Sequence, residues 1–255
     1  STNSSIGLIY ALKKIFMYWM KQKLKILAII PARSGSKSIK DKNIVPYKKK
    51  PLFYHSIKTA LDSKLINKVV VSTDSKKYAD LARKIGADVP FLRPKKISHG
   101  KSLDYEFILH ATKYFVKKNY KIDLVVLLRP TSPNRKTFVV DRAISEFINK
   151  GKSYDSMRSV SEFNQPPQKM LKIKNNSLES FFDTSLKGEY HNLPRQYYDK
   201  TYLPNGYVDI FKPSFFLKKK NCVEKWCLLL QRKFWILIKK RIWNKQKFVI
   251  KKKNY

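Results

Sequence analysis

The sequence predicts an α/β protein, a mostly parallel sheet flanked by helices, on three observations. Short unbroken apolar runs alternate with amphipathic stretches of helical length, the order that βαβ crossovers produce. The runs are rich in branched side chains, as strands buried on both faces are. They end at proline or at small polar clusters, which break regular structure.

Ile26-Leu27-Ala28-Ile29-Ile30, closed by Pro31, reads as the first strand, a reading that periodicity alone shares with a buried helical segment. Leu52, Ile57, Ala60 and Leu61 recur at helical spacing in "LFYHSIKTALDSK", and "KVVVSTD" is the next strand. "SKKYADLARKIGA" is an amphipathic helix with Ser75 as N-cap and Gly86 as its stop. "SLDYEFILHATKYFVKKN" is a longer helix, "DLVVLLRP" a strand ended by proline, and "TFVVDRAISEFINKG" a helix closing on Gly151. From about Lys152 to Lys200 the short pieces "YDSMRSVSEF", "QKMLKIKNN" and "SLESFFD" predict a small subdomain, after which "YVDIF" returns as a strand. Asn205-Gly206, just before it, is by itself a turn signal.

Ligands of such sheets lie at the carboxyl ends of the strands. Three segments stand there: the Arg33 loop, the Ser72-Thr73-Asp74 turn and the Arg129-Pro130-Thr131-Ser132-Pro133 turn. Ala32-Arg33-Ser34-Gly35-Ser36-Lys37 combines a flexible residue, hydroxyls and two cations, and reads either as an anion cradle or as a solvated turn. It is neither a Walker A loop nor a G-x-G-x-x-G loop. Asp74 is either metal-directed or a cap of the following helix. Arg93 and Arg129, taken singly, suit surface ion pairs as well as ligands. His55, His99, His110 and His191 share no spacing that suggests a metal site or a triad, and receive no role.

A chain of 255 residues with 43% hydrophobic content suits one globular domain with a real core. The net charge of +37 resembles that of a nucleic-acid binder, so its distribution matters. Residues 216–255 hold 14 Lys and Arg against one acid, Glu224, and are the most lopsided part. A basic cleft also suits anionic small molecules, so no specific nucleic-acid partner is inferred. Cys222 and Cys227 lack the further ligands of a zinc site, and no metal-binding set is found. "SSIGLIYALKKIFMYWM" is interrupted by Lys13 and Lys14, lacks a cleavage site and is too short to span a bilayer, so the protein reads as cytoplasmic. Residues 1–19 precede Met20, where "MKQKLKILAII" makes a natural start. They read as upstream sequence or an expression remnant, or else as an amphipathic N-terminal helix.

"IIPARSGSKSIKDKN" resembles the signature of the acylneuraminate cytidylyltransferases, the CMP-sialic acid synthetase family. "VVVSTDS", "VPFLRP", "LLRPTSPNR" and "LPRQYYDKTYLPNGYVDIF" follow in the family's order, so the resemblance runs from about Met20 to Phe216. It implies a Rossmann-like nucleotide-diphospho-sugar transferase fold over residues 20–216, with residues 152–200 as a dimerisation subdomain and a homodimer as the assembly. The implied reaction transfers CMP from CTP to the anomeric hydroxyl of a sialic-acid-like nonulosonic acid, releasing pyrophosphate, for surface glycan synthesis such as lipopolysaccharide or capsule. Mg²⁺ is the implied cofactor. Arg33, Ser36, Lys37 and Lys42 would hold the triphosphate, with Arg33 and Lys42 catalytic and Lys42 nearest the departing phosphates. Asn43 would contact the nucleotide or its ribose, Arg93 the cytosine or ribose side, and Arg129, Arg195 and Asn205 the acidic sugar.

The chain departs from the family pattern in three places. Ser38 replaces a second loop glycine, Leu203 replaces an arginine before Pro-Asn-Gly, and the family's Asp-x-Asp metal pair is missing from the C-terminal region. The tail over residues 217–255 reads as a reading frame shifted near Lys220, as a divergent tail that has lost its metal ligands, or as a basic amphipathic segment that binds anionic lipid or nucleic acid. The alternative to an enzyme is therefore an inactive nucleotide-sugar fold acting as a polyanion or membrane-surface binding module.

Overall fold

The structure is a computed structural model, and it describes residues 24–36, 38–150, 154–163, 165–182, 190–217 and 234–238. The expectations for residues 1–19 and for Gly151 lie outside the described residues. So do those for the basic tail, where only a strand backbone, Phe234–Ile238, is described. Among the described residues no helix is long and apolar enough to cross a membrane. They divide into two compact units, the first running to Arg158 and resuming at Gly206, the second built on Ser159–Asn205.

The first unit is an α/β layer structure. Strand β1 (Ile26–Pro31) lies parallel to β4 (Lys68–Ser72) on one side and to β5 (Leu124–Leu127) on the other. The expected apolar run is therefore an interior strand, paired on both sides, and Ile26 to Ile30 are fully buried because both faces of the sheet are covered. The last part of β9 (Thr201–Phe211) pairs antiparallel with β5, Val125 opposite Phe211 and Leu127 opposite Asp209. With β6 (Ser156–Phe163) and β10 (Phe234–Ile238) the strand order is β10-β6-β9-β5-β1-β4.

Four helices connect these strands as the periodicity predicts: α1 (Leu52–Leu61), α2 (Lys76–Ile85), α3 (Asp104–Lys117) and α4 (Thr137–Lys150). The Ser75 hydroxyl accepts the Tyr78 N–H at 3.3 Å and opens α2, and Gly86, at φ 105°, closes it. Glu106 reaches back to the Leu103 N–H at 2.8 Å, satisfying a free donor at the start of α3. One sheet face packs Leu27, Ile29, Val125 and Leu127 against Phe107, Ile108, Ala111 and Phe115 of α3, with Phe211 and Phe216 in the same cluster. Phe216 belongs to a further short helix, α5 (Ser214–Leu217).

Between β1 and α1 a small hairpin joins β2 (Pro46–Tyr47) to β3 (Lys50–Pro51). Its two turn residues, Lys48 and Lys49, have φ of 49° and 62°, left-handed values that side chains with a Cβ resist and that such hairpins usually fill with Asn-Gly. Lys49→Gly should therefore raise unfolding stability by about 0.5–1 kcal/mol in a urea titration. A neutral or destabilising result would show that the turn carries no strain.

In the second unit β7 (Leu171–Lys174) and β8 (Ser177–Ser180) form a hairpin turning at Asn175 and Asn176, both at positive φ. The strand pieces expected between Lys152 and Lys200 are present, while the unit itself spans Ser159–Asn205 because β6 starts in the first unit's sheet. Asn205-Gly206 is not a turn but lies inside β9. Asn205 is held there by Ser159 Oγ, which donates to Oδ1 at 2.7 Å, and by donating from Nδ2 to Ser161 Oγ at 2.9 Å. Side-chain partners on β6 outweigh the local turn preference.

Candidate active site

At the carboxyl ends of β1, β4 and β5 a cleft is lined by Pro31, Arg33, Ser36, Lys42, Asn43, Arg93, Ser102, Asp104, Phe107, Arg129, Pro130 and Thr131. Six of the nine residues selected from the sequence meet there: Arg33, Ser36, Lys42, Asn43, Arg93 and Arg129. Lys37 lies outside the described residues.

The loop after β1 is anchored from beneath. Asp74 accepts the Ser34 N–H at 2.8 Å and the Ser34 hydroxyl at 2.9 Å. Ser75, and not Asp74, caps α2; the described residues hold no cluster of three or more potential metal ligands. The Ser36 N–H bonds the Ser34 carbonyl at 2.9 Å, and a side chain added at Gly35 would meet nothing within 4 Å. The peptide at Gly35 therefore faces open space, where an anion can approach the backbone closely.

Lys42 and Asn43 arrive on a single 3-10 turn, Lys42–Ile44. Asp41, which precedes it at φ 53°, accepts the Tyr78 hydroxyl at 2.7 Å, so α2 pins the turn. Burial, and after it the Asp41 carboxylate, push the Tyr78 phenol well above its ordinary pKa, so it stays a donor. Asn43 is buried and donates to the Arg33 carbonyl at 2.9 Å, tying the turn to the loop. Among the described residues the Lys42 ammonium has no ion-pair partner, which leaves its charge to a ligand.

Arg93 is a wall of the cleft and does not project into it. It is 4% exposed, donates to Ser72 Oγ at 3.0 Å and to the Ser72 carbonyl at 2.6 Å, and lies 4.6 Å above the Phe107 ring. Burial brings its pKa down to about 10, against which Asp74 and Asp104 act.

Arg129 stands between two carboxylates, bonding Asp104 at 2.5 Å and Asp209 closely. Asp209 is 1% exposed and also faces Arg158 Nε at 3.3 Å. Burial opposes the charge of Arg129, but Asp209 and then Asp104 outweigh it and raise its pKa. Sequence reasoning missed both acids and Arg135. The signal for Asp209 was there: an acid in the otherwise apolar "YVDIF" strand, where a charge needs partners.

Two selected residues stand elsewhere. Arg195 lines a separate pocket of the second unit with Glu162, Phe163, Gln196, Tyr198, Asp199 and Lys200, while the Asn205 side chain is engaged by Ser159 and Ser161.

A mixed, mostly parallel sheet carrying a cationic loop and a basic cleft at its strand ends defines an α/β nucleotidyltransferase-type fold. The structure of CMP:2-keto-3-deoxy-manno-octonic acid synthetase complexed with CTP matches 84% of this chain and 90% of its own, at a TM-score of 0.59 and 14% identity, a likeness of fold. A family model described as cytidylyltransferase matches residues 27–253, and the chain belongs to that family. The match continues past Phe216, where the motif resemblance stops. N-acylneuraminate cytidylyltransferase of Escherichia coli is 34% identical over 204 residues, 80% of this chain but 46% of that protein, so the chain spans less than half of that relative. Pseudaminic acid cytidylyltransferase of Campylobacter jejuni is 31% identical over 212 residues, 78% of this chain and 90% of the relative.

Proposed function

We propose that this protein transfers CMP from CTP to the anomeric hydroxyl of a sialic-acid-like nonulosonic acid. The hydroxyl oxygen bonds to the α-phosphorus, the bond from that phosphorus to the bridging oxygen breaks, pyrophosphate leaves and the hydroxyl proton is lost. The observation that carries this reading is the convergence of Arg33, Lys42 and Arg129 on one cleft at the strand ends, with Arg93 in its wall. Phosphoryl-type transfer asks a protein mainly for positioning and charge neutralisation, which such a cleft supplies. The Gly35 backbone and Arg33 cradle the phosphates, Lys42 meets the charge on the leaving pyrophosphate, and Arg129, held between Asp104 and Asp209, stands on the sugar side of the cleft.

The residues present fit a Mg²⁺ ion in one respect. Asp104 offers a cleft carboxylate whose side chain is 39% exposed, whereas Asp209 is buried between two arginines. Magnesium at phosphate sites is held by one or two carboxylates together with the phosphates. Asp104 would hold it, and the ion would supply charge neutralisation at the triphosphate.

The test is pyrophosphate release from each nucleoside triphosphate with N-acetylneuraminic, pseudaminic or legionaminic acid, read on the purified full chain with Mg²⁺. Turnover with CTP and one of these acids is expected. Failure to bind CTP, combined with salt-sensitive binding to anionic vesicles, would favour the binding-module alternative.

We also propose that the chain works as a homodimer through the second unit. Leu171, Ile173, Leu178 and Phe181 are 44%, 79%, 67% and 59% exposed on one small hairpin, and a two-stranded hairpin is at best marginal without cover. Sedimentation should show a dimer for the wild type and a monomer for Ile173→Asp/Leu178→Asp. A dimer that persists in the variant would place the contact elsewhere.

A further inference from the structure

We propose that Arg135 is a positioning residue: its buried side chain locks the Arg129–Ser132 turn to β9 and α1, and so decides where Arg129 stands in the cleft. A guanidinium carries five N–H donors. Here Nε donates to the Tyr207 carbonyl, Nη1 to Ser56 Oγ at 2.8 Å and the Ser132 carbonyl at 2.9 Å, and Nη2 to the Arg129 carbonyl at 2.5 Å and the Gly206 carbonyl at 2.9 Å. One side chain thereby joins helix α1, the turn after β5 and strand β9. Two further bonds tighten the same junction: Ser56 Oγ donates to the Arg129 carbonyl at 3.3 Å, and Ser132 Oγ to the Gly206 carbonyl at 3.2 Å.

The choice of arginine is costly. Arg135 is 7% exposed, and all of these acceptors are neutral. Burial opposes its charge and brings its pKa down to about 9; Tyr207 and Asp209 work against that fall, and Arg129 adds to it. An apolar residue would avoid the penalty, so the site keeps arginine for its geometry. A planar fork holds four carbonyls and a hydroxyl at once, which the compact ammonium of lysine does not. Gly206 meets the fork with φ of 63°, a conformation glycine adopts without strain, and a Cβ there would lie 3.7 Å from Arg129 Cδ. Pro130 and Thr131, between the clamped carbonyls, form the cleft wall beside Arg129. A loosened clamp therefore moves the wall and Arg129 together, while the Arg33 and Lys42 side of the cleft, held by Asp74 and Tyr78, stays in place.

The kinetic half of the test rests on the cytidylyltransferase reading; the exchange half does not. Arg135→Lys is compared with the wild type by amide hydrogen exchange and by steady-state kinetics with CTP and N-acetylneuraminic acid. Amides of residues 129–134 and 205–208 are expected to exchange about 10-fold faster, while β1 and β4 keep their protection. KM for the sugar should rise about 10-fold and KM for CTP change less than about twofold, a split that general destabilisation does not produce. Unchanged exchange over residues 129–134, or an equal rise in both KM values, overturns the proposal. A wild type without turnover removes the cytidylyltransferase reading alone, and the exchange comparison still decides the role of Arg135. Should Arg135→Lys not fold, Ser56→Ala removes one acceptor and one Arg129 contact; an exchange increase of about threefold over residues 129–134 is expected, and none overturns the proposal.

Discussion

Asp209→Asn lowers the stability of the protein by about 3–5 kcal/mol, because it removes the negative partner from a buried charge group and leaves two arginines facing an amide. For a domain of this size the thermal midpoint should fall by about 10 °C. The size follows from burial: at 1% exposure the Asp209 carboxylate is shielded from the solvent that makes surface pairs nearly neutral in energy, while Arg129 and Arg158 are each 23% exposed. An internal control separates charge from packing. In Arg129→Met/Asp209→Leu the pair is replaced by apolar side chains while Arg158 and Asp104 remain, and part of the lost stability should return, since hydrophobic replacements of buried pairs are often tolerated. A loss below about 1 kcal/mol in the single variant would mean that water reaches the pair.

Lys42→Met leaves the fold intact and lowers kcat/KM for CTP by about 10²–10³-fold, the range found when one preorganised charge-stabilising group is removed. The ammonium has no ion-pair partner among the described residues, so no internal contact is lost with it. Its turn is kept by Asp41, Tyr78 and Asn43, so the rest of the cradle stays in place. Two measurements decide it: CTP kinetics and the unfolding midpoint. Undiminished kcat/KM at an unchanged midpoint would remove the triphosphate from this side of the cleft. A fallen midpoint would make Lys42 structural.

Local signals carried much of the fold. Ser75 and Gly86 bound their helix as expected because capping depends on the few residues at a helix end. The run from Ile26 to Ile30 resolved into an interior strand because only a strand covered on both faces keeps every side chain dry. That Arg33, Ser36, Lys42 and Asn43 line one cleft follows from their lying within one short stretch, so their meeting needs little from the rest of the chain. Asp74 was visible as a residue after a strand, yet its work, holding Ser34, depends on the neighbouring strand β1.

The sequence by itself determined the alternation of strands and helices, their caps and the cationic loop, since each arises from interactions between residues a few positions apart. Only the tertiary structure decided the partners of Arg129, Asp104 and Asp209, which lie 25 and 80 positions away in the chain. It also decided that Arg135 fastens α1 and β9 to the cleft wall, and that Asn205-Gly206 continues a strand where local preference predicted a turn. Buried charges and carbonyls must find partners wherever the fold brings them. Such partners are set by the register of distant strands, which no local pattern encodes.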